Sequence, residues 1–210
     1  MRPKVRALSA VACLAVVAAV LLLAGCRCPE TPSAQPTRVA IGFRRVAIVE
    51  FFNRTPYNEP AQQFTEQLRD KLSAWTASTD VVVIPRSALP TLGDPFITGR
   101  IPLDVLVTLR QQYLADAVVI GSVDEHNPYW KPSVHITLKV IDTATGQFPY
   151  ELAQGWDAAQ DTVRREIDDY YRRNYGSDDC RFGPELFVTS PRYFLRFVAD
   201  RAAQRMTAAL

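Results

Sequence analysis

Histidine is almost missing from this sequence. Its 210 residues hold two, His126 and His135, and they do not stand at metal-ligand spacing. That excludes an ordinary metal centre and removes the usual general base from any catalytic scheme. Lysine is scarce too. Beyond Lys4 it occurs only at 71, 131 and 139, so arginine carries nearly all the positive charge. The formal net charge is +2, and it drops to −1 without residues 1–25, which hold Arg2, Lys4 and Arg6 and no acid. Such a balance excludes a nucleic-acid binder, which needs a clustered basic surface. Past residue 25 there is no apolar run long enough to cross a membrane as a helix.

The one long apolar run comes first. A basic start and then an apolar stretch over residues 7–24, with no acid before Glu30, form the layout of an export signal. A spanning helix needs about 20 apolar residues, so length alone leaves a permanent anchor open. Leu23, Ala24, Gly25 and Cys26 close the run. This tetrapeptide resembles the lipobox of bacterial lipoproteins. The resemblance implies cleavage before Cys26, acylation of its sulfur, and two or three chains that hold the protein stably in a bilayer at about 0.8 kcal/mol per buried methylene. Arg27 follows, not the Asp associated with inner-membrane retention. The expected location is therefore the outer membrane, facing the periplasm.

Four segments result: a signal peptide over 1–25, a lipid-anchored Pro-rich tether over 26–37, a periplasmic α/β domain over 38–157 and a helical extension over 158–210 packed on that domain. The tether, "RCPETPSAQPT", has nothing to bury and reaches about 35 to 40 Å when fully extended. Cys28 and Cys180 are the remaining exported cysteines. They form an even pair open to a disulfide, with free thiols or another partner for Cys28 as the alternatives.

The exported chain begins with "RRVAIVEFF", apolar on both faces like a strand covered by helices on each side. "NRTPYNEP" ends it as a turn, and Asn53, although in a glycosylation sequon, is read as part of that turn. Phe64, Leu68, Leu72 and Trp75 recur at helical spacing. A short buried strand over 81–85, a helix over 103–114 and a buried strand over 115–123 follow. Two strand–helix–strand units predict a parallel sheet. "SVHITLKVID" then alternates, predicting a strand with one covered face and His135 on its polar side. A hairpin turn at 142–146 returns an antiparallel partner.

"RRVAIVEFFNRT", "ADAVVIGSV" and "LKVIDTATGQ", in this order behind a lipobox, resemble a group of exported bacterial α/β domains. It comprises the curli-secretion lipoproteins, the penicillin-binding-protein activator lipoproteins of the LpoB kind, flagellar outer-membrane lipoproteins and the amino-terminal domain of TolB. The resemblance covers residues 44–157. It implies a three-layer α-β-α fold with a mixed sheet, a parallel core plus an antiparallel hairpin, followed here by a helical C-terminal extension. It also implies a non-enzymatic scaffold or assembly factor, with no cofactor and with envelope proteins as partners. The sequence departs from the group at Glu50, where such proteins usually carry Pro, and in the tail beyond Asp157.

In that tail, Val163, Ile167, Tyr170 and Tyr171 share one helical face. Arg164 and Arg165 precede Asp168 and Asp169 by four residues, as surface pairs. Ser190 and Pro191 open a last helix as N-cap and N1. Its arginines 192, 196, 201 and 205 fall on two sides, so they form no lipid- or nucleic-acid-binding stripe.

Two function classes follow: a protein-binding envelope lipoprotein, or a subunit of a curli-type secretion channel. The channel needs alternating strand pairs of about 9 to 11 residues. Its candidate insertions, "RSALPTLGDPFITGRIP" and "DEHNPYWKPS", are broken by Pro and Gly. No nucleophile–base pair or small-molecule site stands out. The binding candidates are Tyr129 and Trp130, held between prolines. Two readings of them stay open: an exposed anchor, or aromatics folded back onto the tail helices.

Overall fold

The computed structural model describes residues 42–99, 101–175 and 183–210. In chain order its elements are β1 (Arg45–Val49), β2 (Phe52–Asn53), α1 (Pro60–Trp75), β3 (Asp80–Ile84), α2 (Pro95–Thr98), α3 (Leu103–Gln111), β4 (Ala117–Asn127), β5 (Ser133–Asp142), β6 (Tyr150–Asp157), α4 (Asp161–Tyr175), α5 (Glu185–Thr189) and α6 (Pro191–Ala209). The sheet order is β3-β1-β4-β5-β6, with β2 beside β4. β1 runs parallel to β3 and β4, while β5 is antiparallel to both β4 and β6. This is the mixed sheet expected from the strand pattern.

The two-sided apolar character of the first strand has its cause in two separate cores. Val46 and Ile48 face α1, α4, α5 and α6, whereas Ala47 and Val49 face α3. Phe64, Leu68 and Leu72 of α1 have no exposed surface, and each such burial contributes about 1.5–3 kcal/mol. Thr76 closes α1, its N–H and its hydroxyl both donating to the Leu72 carbonyl at 3.0 and 2.9 Å. β3 differs from the expected buried strand: Val81, Val82 and Val83 are only half-buried, because β3 lies at the sheet edge.

The first strand is also broken at Glu50. Val46 pairs with Ala117 but Phe52 pairs with Ser122, so this strand holds one residue more than β4 opposite it. Glu50 N–H still donates to Ile84 at 2.9 Å, while Phe51 N–H turns to Thr65 Oγ1 at 3.1 Å. The extra residue drives the Phe51 side chain into the α1 core, against Phe64.

β5 alternates as expected, with Val134, Ile136, Leu138 and Val140 buried. At its end Asp142 Oδ1 accepts from Ala144 N–H at 2.7 Å and Gly146 takes φ 71°, closing the turn into β6. The opposite face of this hairpin is polar. A register shift between Val123 and Glu125 turns Asp124 onto it, where Thr137, Ser122, His135 and Arg54 all meet the carboxylate.

α4, α5 and α6 share one apolar core with α1 and the sheet, built on Ile167, Tyr170, Phe187, Phe194 and Phe197. Ser190 occupies the N-cap position before Pro191, without a side-chain capping bond. The expected i,i+4 pairs on α4 are corrected. Arg164 instead meets Glu185 at 3.3 Å and Arg165 donates to the Asp161 carbonyl, tying α4 to α5 and to its own first turn. Of the two candidate channel insertions, the first forms a 3-10 turn at Arg86–Ala88 and the short α2. The second lengthens β4 to Asn127, four residues past the expected end. Among the described residues, no helix is long and apolar enough to cross a membrane.

Candidate functional site

Tyr129 and Trp130 stand at the tip of the β4–β5 hairpin, 69% and 74% exposed. They are not folded onto the tail helices; the tryptophan that fills the core is Trp156, at 1%. The tip is braced. Pro128 and Pro132 bracket it, and Tyr129 N–H donates to Asn127 Oδ1 at 3.1 Å. Lys131 adopts φ 56°, a left-handed conformation that turns the chain into β5. Tyr57, from the β2–α1 loop, meets Tyr129 edge-on at 6.4 Å and His126 at 5.8 Å.

Behind this tip a cleft of about 570 Å³ opens beyond the carboxyl ends of β2 and β4, a usual place for sites on α/β sheets. Pro56, Tyr57, Pro60 and Pro128 give it an apolar wall, while Glu59, Gln63 and His126 line it with polar groups. A second cleft of similar volume lies between α1 and α6, lined by Gln67, Lys71, Arg192 and Arg196. Arg192 lines both clefts, which therefore meet as one groove along the α1–α6 seam.

The cationic end of the groove has a defined electrostatic state. Lys71 Nζ donates to the Tyr170 hydroxyl at 3.0 Å and stands 3.7 Å from Asp200 Oδ1. Burial lowers the Lys71 ammonium below its ordinary pKa; Asp200 opposes this, and the like charge of Arg196 adds to it. The Arg196 guanidinium lies over the Tyr175 ring at 5.8 Å. Asp70, which also lines this cleft, pairs with Arg69 at 2.7 Å and joins Asp200 in opposing the lowering of Lys71. Two buried acceptors here have no hydrogen-bond partner among the described residues: Gln67 Oε1 and His126 Nδ1. Burial also lowers the His126 pKa, against one hydrogen bond to the Ser133 backbone, which leaves the ring neutral near pH 7.

Cys26 and the lipobox residues Leu23, Ala24 and Gly25 lie outside the described residues, as do Cys28 and Cys180. His135 sits on the polar sheet face as expected, 3.3 Å from Asp124. The groove was not legible in the sequence. Lys71 and Arg192 are 121 positions apart, and the α6 arginines, viewed on their own helix, form no stripe. Only the packing of α1 against α6 turns two of them toward a lysine. Among the described residues, no group of three or more His, Cys, Asp or Glu is arranged to hold a metal.

No protein-family model matches the chain, and no curated protein matches it in sequence. Solved structures similar to it include lipoprotein GNA1162 from Neisseria meningitidis, at 15% identity and TM-score 0.40, covering 54% of this chain and 80% of that one. The LpoB C-terminal domain from Salmonella enterica is 16% identical with TM-score 0.37, over 56% and 87%. TolB from Acinetobacter baumannii is 17% identical with TM-score 0.34, over 65% of this chain and 29% of that one. The structural neighbours thus include the LpoB and TolB branches of the group that the sequence motifs resemble.

Proposed function

We propose that this chain is a lipid-anchored protein of the bacterial outer membrane that faces the periplasm, catalyses no reaction and binds other envelope proteins through the β4–β5 tip. The observation that carries the reading is the exposure of Tyr129 and Trp130 on a braced, proline-bracketed tip. Large aromatics left in water on a stiff loop lose little entropy on docking and bury much apolar area, which is how interface anchors work. The lipobox supplies the membrane attachment, and the short tether keeps partners close to the membrane that holds Cys26. Binding needs no proton transfer, and the tip offers no nucleophile–base pair.

A photo-crosslinking residue in place of Trp130, activated in intact cells, tests the reading. Discrete adducts with envelope proteins are expected, weakened by Tyr129→Ala. Absence of adducts at position 130, with adducts from a control position elsewhere on the surface, would overturn it.

A further inference from the structure

Leu114 links α3 to β4 at φ 53°, a left-handed conformation that strains a leucine, and its side chain is 64% exposed. A glycine would make this turn without strain, and the core does not use the leucine. Phe148, also exposed, stands in the β5–β6 turn. Strand register puts both at one end of the sheet, where Arg45, Asp80, Ala117 and Asp142 begin or end their strands. Two loops of this end, 76–79 and 143–149, contain no charged residue. The acids beside them are engaged. Asp80 pairs with Arg45 at 2.7 Å, and Asp116 Oδ2 accepts the N–H groups of Arg44 and Arg45 at 3.0 and 3.1 Å. Asp142 Oδ1 accepts from Ala144 N–H, and Glu151 pairs with Lys139 at 2.9 Å.

The same end receives the tether. Arg44, just before β1, is hydrogen-bonded to Asp116, two residues past Leu114. Gly42 lies sixteen positions after Cys26. β4 rises about 34 Å from Ala117 to Asn127, at 3.4 Å per residue. Laying the hairpin tip on the bilayer would take about ten of those sixteen residues just to run back along the domain. Contact at the tether end takes none.

We infer that the tether end of the domain rests on the lipid surface of the membrane that holds Cys26, with Leu114 and Phe148 in the headgroup layer. Apolar side chains on uncharged loops suit shallow insertion, where they bury area without desolvating an ion. Lys139 Nζ lies 5.2 Å from the Phe148 ring centroid, and its charge is already answered by Glu151. The domain then stands upright, and the hairpin tip meets its partners about 34 Å from the bilayer, the length of β4. The inference rests on the reading of Cys26 as the lipid anchor and adds an orientation to it.

A diazirine amino acid placed singly at 114, 148, 103 or 130 tests it. Each purified full-length lipidated chain is reconstituted in vesicles of phosphatidylethanolamine and phosphatidylglycerol and irradiated. Phospholipid adducts should form at 114 and 148. They should be scarce at 130 and at 103, since Leu103 is likewise exposed but stands at the opposite end of α3. Glycine suits φ 53°, so Leu114→Gly keeps the fold. It should lower lipid labelling at 148 roughly fivefold, the scale of one partly inserted leucine. Equal labelling at 103 and 114 would overturn the inference, as would lipid adducts at 130 in place of 114 or adducts between copies of the chain at 114. Vesicle flotation reads the anchor separately. A chain that floats without lipid adducts at 114 refutes the orientation alone, whereas one that does not float refutes the anchor and the orientation together.

Discussion

The Phe51 ring lies directly over Gly121, so close that a Cβ on that glycine would stand 2.1 Å from Phe51 Cε1. The extra residue at the β1–β2 break directs Phe51 inward, and only a residue without a side chain leaves room beneath it on β4. Gly121→Ala should therefore cost about 1–3 kcal/mol through overpacking. For a domain of this size that lowers the melting temperature by about 2–4 °C per kcal/mol. Phe51→Leu in the same chain should return part of the loss. A Gly121→Ala variant that melts like the parent would refute the contact.

Two tryptophans make a contrast. Trp75 Nε1 donates to Asp200 at 3.1 Å, and Asp200, 4% exposed, has its other carboxylate oxygen buried without a partner among the described residues. Among the described residues, Trp156 Nε1 is buried with no acceptor. Trp75→Phe removes a bond to a charged group worth about 1.5–3 kcal/mol. Trp156→Phe also loses volume, but it removes an unsatisfied donor that offsets part of the cost. Chemical denaturation should rank Trp75→Phe as the more damaging change on the hydrogen-bond side, with its penalty shrinking in an Asp200→Asn background. Equal penalties in both backgrounds would contradict the assigned bond.

Local pattern made most elements readable. β5 follows its alternation from Ser133 to Asp142, and α4 buries the four residues its spacing marked. Asp124 and Lys71 were different. A strand bulge moves Asp124 to the polar face, and a bulge leaves no period-two signature. Lys71 acquires its role from Asp200 and Tyr170, both about a hundred positions or more away. Exposure of Trp130 was equally hidden, since sequence identity does not say which of three tryptophans fills the core.

The Asp124 cluster has a pH signature. Burial alone would raise its carboxyl pKa, but hydrogen bonds from Thr137, Ser122 and His135, with the Arg54 charge, hold it below the ordinary 3.8. A native value below the unfolded one means that the unfolded state binds the proton more readily. The stabilisation is therefore complete above about pH 5 and is lost as pH falls through the native value. Asp124→Asn should be less stable than the parent at pH 7, with the difference narrowing toward pH 3. Parallel stability curves for parent and variant across that range would rule the cluster out as the source.

The proposed membrane attachment depends on one sulfur. Cys26→Ala removes the acceptor for the lipid, so the precursor should stay uncleaved and unlabelled when cells are fed a fatty-acid analogue. Label retained by the variant would place the anchor elsewhere.

Loss of the hairpin tip should separate binding from folding. Tyr129 and Trp130 are 69% and 74% exposed, so replacing both with Ala removes little buried area, unlike a core aromatic truncation at about 3–5 kcal/mol. The Tyr57 edge contact at 6.4 Å is the main packing they lose, and an aromatic pair of that kind contributes about 0.5–1.5 kcal/mol. The double variant should melt within a few degrees of the parent, by the size scaling of domain stability. Its capture of envelope proteins by an added chemical crosslinker should disappear, because the exposed aromatic area is what docks. A variant that melts normally and still captures every partner would eliminate the tip as the binding surface.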